Sequence, residues 1–400
     1  MKRLLILFTA LTLLVGCKKD DAPTQKPTEQ TLLMYFPWSG NLTSFFLTNI
    51  EDMKQVVARG IPDDCRVVVF LMPNSTTGRL FELRNRKGIT EERELATYEL
   101  PAFTTAEGIA SILSDVKRFA PAKRYAMSIG SHGMAWLPAH PTVSTATLRE
   151  AYGTAPEREY WEHTDANGLP LTRWFGGTSQ ATRTDAATLA AAIERAGIEM
   201  EYILFDVCYM SSIEVAYDLR NVTRHVIASP HEIINYGFPY EQCGSYMVGT
   251  IDYAKIVQAF HDFYMDTEND KIAFNCGTIA VTHTAELDAL AALMKQINHS
   301  ALDVSNLSSV QVADNYSTHR FYDLGDYVEQ CCTDQSLRSA FAAQMERTIP
   351  AAHRRHTPTY YSNGNNECPI RVFSGVMCSD PSTSRECVGK EQTAWWKATH

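Results

Sequence analysis

Short apolar runs that do not alternate with polar residues set the strongest constraint on how this chain can fold. The clearest run is RVVVFLM at residues 66–72, and similar runs cover residues 32–36, 125–129 and 202–205. Such runs are typical of strands that are buried on both faces of a sheet. Helix-period segments separate them, as they do when helices connect parallel strands. The sequence therefore predicts an α/β fold with a mostly parallel sheet flanked by helices.

The pattern changes near residue 244. Beyond it, helix-period segments cover residues 253–266, 285–297 and 336–349, with one strand candidate at residues 278–281. We therefore expect a main α/β domain over residues 31–245 and a mainly helical C-terminal region over residues 246–400 that packs on it.

The charge balance limits the class of partner. The chain has 36 Lys and Arg against 46 Asp and Glu, for a formal net charge of −10. Nucleic-acid binding depends on cationic side chains that neutralise phosphates, so an acidic chain is poorly suited to it. We predict no nucleic-acid partner.

The N-terminal residues predict a targeting signal rather than part of the fold. Lys2 and Arg3 precede an apolar run over residues 4–15, which is shorter than the roughly 20 residues of a membrane-spanning helix. This is the form of a signal peptide, here over residues 1–16. The segment LVGC at residues 14–17 resembles a bacterial lipobox, which implies cleavage before Cys17 and acylation of Cys17. The alternative is an ordinary signal peptide with an incidental cysteine.

A polar segment follows Cys17. Residues 18–30, KKDDAPTQKPTEQ, lack strong apolar residues and contain two prolines, which is typical of a flexible tether. The KDD at residues 19–21 resembles an acidic signal that sends some Gram-negative lipoproteins to the cell surface. We therefore expect residues 17–30 to be a lipidated cysteine with its tether. The expected location is the outer membrane, exposed at the cell surface or otherwise facing the periplasm.

The carboxyl ends of the predicted strands are the place to look for chemistry, because ligands collect there in open parallel sheets. Five strand ends carry polar residues, at 39–41, 73–75, 131–133, 206–208 and 229–232. Two of them carry His132 and Cys208. Taken alone, Cys208 fits a small buried side chain and His132 fits a structural histidine. Their joint placement favours a dyad.

Capping signals sharpen the prediction for Cys208. The pattern Ser211-x-x-Glu214 matches a capping box, as does Thr104-x-x-Glu107 earlier in the chain. A helix opening at Ser211 would direct its positive N-terminus toward Cys208, so we expect a lowered thiol pKa.

Six ordered segments resemble the clostripain family of cysteine peptidases. They are SHGMAWLP at residues 131–138, FDVCYMSSIEVAY at 205–217, ASPHE at 228–232, GFPY at 237–240, FYDLGDY at 321–327 and TAWWKAT at 393–399. The resemblance covers most of the mature chain. It implies a caspase-like fold, with residues 31–245 as the catalytic domain, and a cysteine-type endopeptidase.

The resemblance also implies residue roles. Cys208 would be the nucleophile, His132 its proton-transfer partner, and the backbone N–H groups of Gly133 and Cys208 the oxyanion hole. Asp206 matches an acidic position that selects Arg or Lys before the scissile bond, and Glu232 is predicted to bind substrate with it. The alternative for Asp206 is a backbone cap at a strand end.

Two departures from the family leave the specificity open. Ala135 stands where the family often has Gly, and residues 39–41 lack an Asp common near the first strand in some members. Neither departure touches the dyad. The competing interpretation for the whole protein is a catalytically silent surface lipoprotein that binds protein or glycan. The pair of His132 and Cys208 favours the peptidase, because a binding module does not need it.

Three further features have weaker support. The segment TDANG at residues 164–168 has calcium-binding oxygens but no terminal bidentate Glu, so we predict a plain turn and no cofactor, with calcium as the alternative. Activation by cleavage after a basic residue is a hypothesis for Arg149, Arg158, Arg173 or Arg183. Among the ten cysteines, Cys368, Cys378 and Cys387 are the candidates for disulfide pairing.

Overall fold

The computed structural model describes residues 26–137, 175–176, 182–387 and 389–400. Its strands are β1 (Thr28–Phe36), β2 (Cys65–Leu71), β3 (Thr77–Arg86), β4 (Ile89–Glu99), β5 (Ala122–Gly130), β6 (Phe175–Gly176), β7 (Arg183–Thr184), β8 (Met200–Asp206), β9 (His225–Ala228), β10 (Thr278–His283), β11 (Tyr322–Asp323), β12 (Arg354–His356), β13 (Thr359–Ser362), β14 (Asn365–Pro369) and β15 (Met377–Cys378). Its α-helices are α1 (Thr43–Arg59), α2 (Ala106–Phe119), α3 (Ala186–Ala196), α4 (Ile213–Leu219), α5 (Tyr240–Cys243), α6 (Tyr253–Met265), α7 (Leu287–Ser300), α8 (Leu324–Cys331), α9 (Gln335–Thr348) and α10 (Ala394–Thr399). Short 3₁₀ helices cover Gly244–Tyr246, Thr284–Glu286, Val304–Ser309, Ala351–His353, Arg385–Cys387 and Lys390–Gln392.

Nine strands form the central sheet, in the order β12-β10-β9-β8-β5-β1-β2-β3-β4. Neighbours in the central run from β9 to β2 pair in parallel, and the strands at both edges pair antiparallel. The chain runs from β1 to β2 on one side and later returns to β5 on the other side of β1. The strand order therefore reverses between β1 and β5, and such a switch point opens a crevice at the carboxyl ends of the strands.

Each central strand contributes to hydrophobic cores on both faces of the sheet. In β1, Leu33 and Tyr35 belong to one core, whereas Leu32, Met34 and Phe36 belong to the other. All five side chains are buried. This explains the non-alternating apolar runs, since a strand covered on both faces needs apolar residues at every position. The predicted α/β fold with a mostly parallel sheet and flanking helices is confirmed.

The hairpin of β3 and β4 is absent from the sequence prediction. Its strands are rich in charged residues, and the carboxylates of Glu92 and Glu94 lie 3.1 and 2.7 Å from the Arg79 guanidinium. Because these side chains face solvent at the sheet edge, the hairpin carries no long apolar run. Cross-strand pairing of opposite charges was the available signal.

The start of β1 shortens the predicted tether. The Thr28 N–H donates to the Pro121 carbonyl at 2.9 Å, and the buried Gln30 side chain donates to the Met247 carbonyl at 3.0 Å. Residues 28–30 are therefore part of the sheet, although they lack the apolar side chains that predict a buried strand. The signal peptide and Cys17 lie outside the described residues. In the described ranges no helix has the length and apolar character to cross a membrane.

The C-terminal region shares the central sheet. Strands β10 and β12 pair with each other, and β10 pairs with β9. A boundary between residues 245 and 246 therefore runs through one sheet. The description of residues 246–400 as mainly helical also omits the hairpin of β13 and β14, whose short strands give little periodic signal.

Candidate active site

A cavity of about 360 Å³ opens at the carboxyl ends of β1, β5 and β8. His132, Asp206, Cys208 and Glu232 all line it. Gly133 follows His132 directly, and Met134 beyond it also lines the cavity. The structure thus brings the predicted site residues of three separate segments to one place.

Strand register brings His132 and Cys208 together. Strands β5 and β8 are parallel neighbours, and Gly130 and Asp206 are Cα partners at their ends. His132 lies two residues beyond the first partner and Cys208 two residues beyond the second. Because adjacent strands are about 5 Å apart, equal offsets bring the two side chains to the same cavity.

His132 is held on several sides. Its backbone N–H donates to the Gly176 carbonyl at 3.2 Å, and its carbonyl accepts from the Gly176 N–H at 3.1 Å. Its Nε2 lies 2.9 Å from Asn41 Oδ1, and the Trp38 ring lies 4.9 Å from the imidazole between ring centroids. Burial lowers the pKa of His132 to about 4. The imidazole is therefore neutral at neutral pH and can accept a proton.

The loop after His132 contains Ala135, which is one of the two departures from the family pattern. Ala135 has φ 54°, in the left-handed region that glycine adopts most easily. Glycine would suit this position best, and Ala135 adopts the conformation at a cost in backbone strain.

The surroundings of Cys208 contradict the predicted lowering of its pKa. Burial, reinforced by the nearby Glu232 carboxylate, raises the pKa of Cys208 to about 12. Helix α4 begins only at Ile213, with Ser212 as its N-cap instead of Ser211. The Ile233 N–H donates to Sγ at 3.3 Å, and Sγ in turn lies 3.5 Å from the Ile233 carbonyl, to which the thiol donates. The same shift of one residue occurs at α2, whose cap is Thr105.

The chain turns sharply after the thiol. Tyr209 has φ 62° and donates its N–H to the His231 carbonyl at 3.0 Å. Its hydroxyl donates to Glu232 Oε1 at 2.7 Å. This turn places Cys208 between β8 and the segment after β9, so both segments border the sulfur.

Asp206 is a buried carboxyl group at the cavity. It is 8% exposed, and its Oδ1 accepts the Phe238 N–H at 2.8 Å. Burial raises the pKa of Asp206 to about 7. None of the ion pairs in the described ranges includes it. It therefore caps one backbone group, as the alternative interpretation expected, and still offers an unpaired carboxyl to the cavity.

Gly237 makes room for this carboxyl. A Cβ at Gly237 would lie 2.7 Å from Asp206 Oδ1, and its φ of 81° also favours glycine. The GFPY segment thus contributes a close approach to the site.

The Glu232 carboxylate has internal partners. Its Oε1 accepts from the Tyr209 hydroxyl at 2.7 Å and from the Asn363 N–H at 2.8 Å. Burial raises the pKa of Glu232. These bonds connect the turn after Cys208 to the hairpin of β13 and β14. The role of Glu232 in substrate binding stays a prediction.

The walls of the cavity and the partner of His132 were not predicted from the sequence. The walls are mostly apolar and aromatic and include Leu42, Phe45, Phe46, Ile233, Ile234, Phe274, Tyr316 and Tyr361. They come from segments far apart in the chain, so no local pattern identifies them. Asn41 did have a signal, because it belongs to one of the five polar strand ends.

The weaker sequence features have mixed outcomes. Residues 164–168 and Arg149, Arg158 and Arg173 lie outside the described residues. Arg183 lies in β7 and is only 1% exposed, so its peptide bond is not presented for cleavage in this conformation. Within the described ranges, no group of three or more His, Cys, Asp and Glu side chains could hold a metal ion.

The disulfide prediction is wrong. Cys368, Cys378 and Cys387 are free and buried, as are the other described cysteines apart from the half-buried Cys208. Their thiols contact different partners. For example, Cys387 Sγ lies 3.5 Å from the Arg320 carbonyl and Cys368 Sγ lies 3.8 Å from the Asn365 carbonyl.

A histidine and a cysteine lie at equal offsets beyond two parallel neighbouring strands, at the edge of the sheet where the cavity opens. This arrangement and the strand order define the class of the protein. It is a cysteine-type endopeptidase with a caspase-like fold. A model of the clostripain family matches residues 160–368, more than half of the chain. The chain belongs to the clostripain family, which confirms the resemblance found in the sequence.

Solved structures agree with this assignment. A secreted C11 cysteine protease from Bacteroides thetaiotaomicron, "iotapain", is 45% identical, with a TM-score of 0.82 over 94% of this chain and 100% of its own. A clostripain from the same species, in complex with the peptide inhibitor BTN-VLTK-AOMK, is 47% identical, with a TM-score of 0.54 over 57% of this chain and 99% of its own. An inactive zymogen C11 protease from Parabacteroides distasonis, 24% identical over 94% of this chain and 99% of its own, supports the fold alone with a TM-score of 0.72. No curated protein matches the chain.

Proposed function

We propose that this protein is a lipid-anchored endopeptidase that cleaves peptide bonds after Arg or Lys through a dyad of Cys208 and His132. The observation that carries the proposal is the shared cavity, in which a thiol and a neutral imidazole border the buried carboxyl of Asp206. A nucleophile, a base and an acidic specificity group in one cleft are the parts that such a peptidase needs.

The chemistry proceeds by acyl transfer. His132 takes the thiol proton as the Cys208 sulfur attacks the scissile carbonyl, and the backbone N–H groups of Gly133 and Cys208 stabilise the resulting oxyanion. The tetrahedral intermediate collapses to a thioester, and His132 gives its proton to the leaving amine. Water, activated by His132, then hydrolyses the thioester and restores the thiol. The thiol supplies the electron pair for acylation, water supplies the electron pair and the proton for deacylation, and the imidazole carries the protons between them, so the proposed cycle balances with these three groups.

Charge and shape at the cavity support a basic residue before the scissile bond. The Asp206 carboxyl, with no cation beside it in the described part of the chain, can pair with a guanidinium or an ammonium. Phe45 and Phe46 line the same cavity and suit the aliphatic stem of such a side chain. The inhibitor of the 47% identical clostripain has the peptide sequence VLTK, which ends on lysine.

The test is a profile of cleaved peptides. Purified protein is incubated with a library that varies the residue before the scissile bond, with and without an alkylating agent. We expect cleavage after Arg and Lys that alkylation abolishes. A thiol-dependent profile without basic preference would contradict the specificity, and no thiol-dependent cleavage would favour the silent binding protein.

We propose separately that Cys17 carries the membrane anchor at the cell surface. Residues 18–27, before β1, leave a short polar tether between that cysteine and the sheet. Bacteria grown with an alkyne fatty acid should label the wild type but not a Cys17→Ser variant, and only the wild type should sediment with membranes. External protease should degrade the wild type on intact cells. Equal labelling of the two proteins would contradict the anchor, and protection from external protease would indicate a periplasm-facing position.

A further inference from the structure

The imidazole of His132 has a polar partner on the side of the first strand. Its Nε2 lies 2.9 Å from the side-chain oxygen of Asn41. Asn41 lies in the turn between β1 and α1, and it lines the same cavity as Cys208. We propose that Asn41 is the positioning residue of this peptidase, which orients His132 and stabilises its protonated form. The inference rests on the proposed dyad.

Hydrogen-bond chemistry assigns the two ring nitrogens different tasks. The amide oxygen of Asn41 can only accept, so Nε2 carries the hydrogen in the neutral imidazole. The unprotonated nitrogen is then Nδ1, which is the atom left to take the thiol proton. Without Asn41 the ring could adopt the other tautomer, in which Nδ1 carries the hydrogen and cannot accept one.

The same contact favours the reacting state over the resting state. When His132 takes the thiol proton, the ring becomes a cation, and Nε2–H continues to donate to Asn41. Hydrogen bonds from a charged donor are stronger than those from a neutral one. Asn41 therefore stabilises the imidazolium more than the neutral ring, and a contact that strengthens during the reaction lowers the barrier.

The turn that holds Asn41 is built from several contacts. The Thr43 N–H donates to the Gly40 carbonyl at 3.1 Å, and the Gly40 N–H donates to Thr43 Oγ1 at 2.8 Å. A Cβ at Gly40 would lie 2.4 Å from the Trp38 ring, which itself packs beside the imidazole. The turn therefore supports both the ring and the amide that contact His132.

The positions of Asn41 and His132 in the sheet also support the positioning role of Asn41. Asn41 follows β1 and His132 follows β5, the two neighbouring strands between which the strand order reverses. Asn41 itself is exposed, so its replacement should disturb the cavity without a large loss of stability.

The test compares Asn41→Ala, Asn41→Asp and the wild type on an Arg-linked fluorogenic peptide. Loss of a hydrogen bond to a charged group should lower kcat of Asn41→Ala by about 10- to 100-fold. KM should change by less than about 2-fold, since Asn41 is proposed to act on the transition state. Asn41→Asp should recover most of kcat, because a carboxylate accepts the same bond.

The pH profile separates positioning from a merely structural role. The added carboxylate should raise the pKa of His132, so the acidic limb of kcat should move to higher pH in Asn41→Asp. The other titratable groups that line the cavity are Asp206, Cys208, Tyr209, Glu232, Tyr316 and Tyr361, and the substitution leaves all of them in place. Gln55→Ala, which removes an exposed amide on α1, is the matched control and should behave as the wild type.

Two results would overturn the inference. One is a kcat for Asn41→Ala within about 2-fold of the wild type with an unchanged pH profile. The other is a kcat for Asn41→Asp as low as that of Asn41→Ala, with no shift of the acidic limb. A different result would contradict the proposed function, namely equal turnover by the wild type and Cys208→Ala. That result would also contradict the role of Asn41.

Discussion

Cys208→Ala should reduce turnover of Arg- and Lys-linked fluorogenic peptides by about 10³- to 10⁶-fold. The methyl group of alanine cannot attack the carbonyl, so no thioester forms, and only binding and oxyanion stabilisation remain. Peptide affinity should persist, because the cavity walls and Asp206 are unchanged. Turnover is followed by fluorescence. The affinity of Cys208→Ala for the same peptides is measured by titrating the variant with them.

A matched control and a double variant make this result specific. Cys65→Ala removes another buried free thiol, at the start of β2, and should leave turnover within about 2-fold of the wild type. His132→Ala should be severely impaired, and adding it to Cys208→Ala should cause little further loss, because the two groups act as one unit. Equal turnover by Cys208→Ala and the wild type would contradict the proposed dyad.

The proposed dyad is a neutral pair at rest. Burial holds the pKa of Cys208 at about 12 and that of His132 at about 4, so neither group is charged at neutral pH. In the proposed mechanism, substrate binding would then have to favour the proton transfer from Cys208 to His132. Under the proposed specificity, a basic substrate side chain beside Asp206 would bring a positive charge close to the sulfur, and this charge would favour the thiolate. Specificity and activation would then depend on the same charge.

The parts of this fold that depend on local pattern could be predicted from the sequence. The strands β1, β2, β5 and β8 follow from apolar runs that need no knowledge of the partners. His132 and Cys208 follow because parallel strands end at one edge. The charged hairpin of β3 and β4 could not be found this way, since its stabilising pairs form between strands.

The electrostatics of the site could not be read from sequence either. The predicted lowering of the Cys208 pKa by a helix N-terminus is outweighed, because the thiol is buried. The dominant effect is burial, which depends on walls from several distant segments. The contact of Asn41 with His132 is likewise a matter of strand order, since 91 positions separate the two residues.

Asp206→Asn should lower kcat/KM for Arg- and Lys-linked peptides by about 10²- to 10³-fold, because the substrate cation would be buried without a counter-charge. The amide is nearly isosteric and keeps an oxygen to accept the Phe238 N–H, so the fold should be retained. A citrulline-linked peptide, which has the shape of arginine but no charge, should lose much less. The ratio of the two kcat/KM values therefore measures the charge pair.

The pH dependence gives an independent measure of the same carboxyl. Burial holds the pKa of Asp206 at about 7, so the group is mostly neutral below that pH and ionised above it. For the wild type, kcat/KM on the Arg-linked peptide should therefore fall as the pH drops below about 7, and this limb should be missing in Asp206→Asn. Asp63→Asn, an exposed change of the same charge, serves as the control. Equal losses on the arginine and citrulline peptides would contradict the assignment, because they would show that Asp206 supports the site without recognising charge.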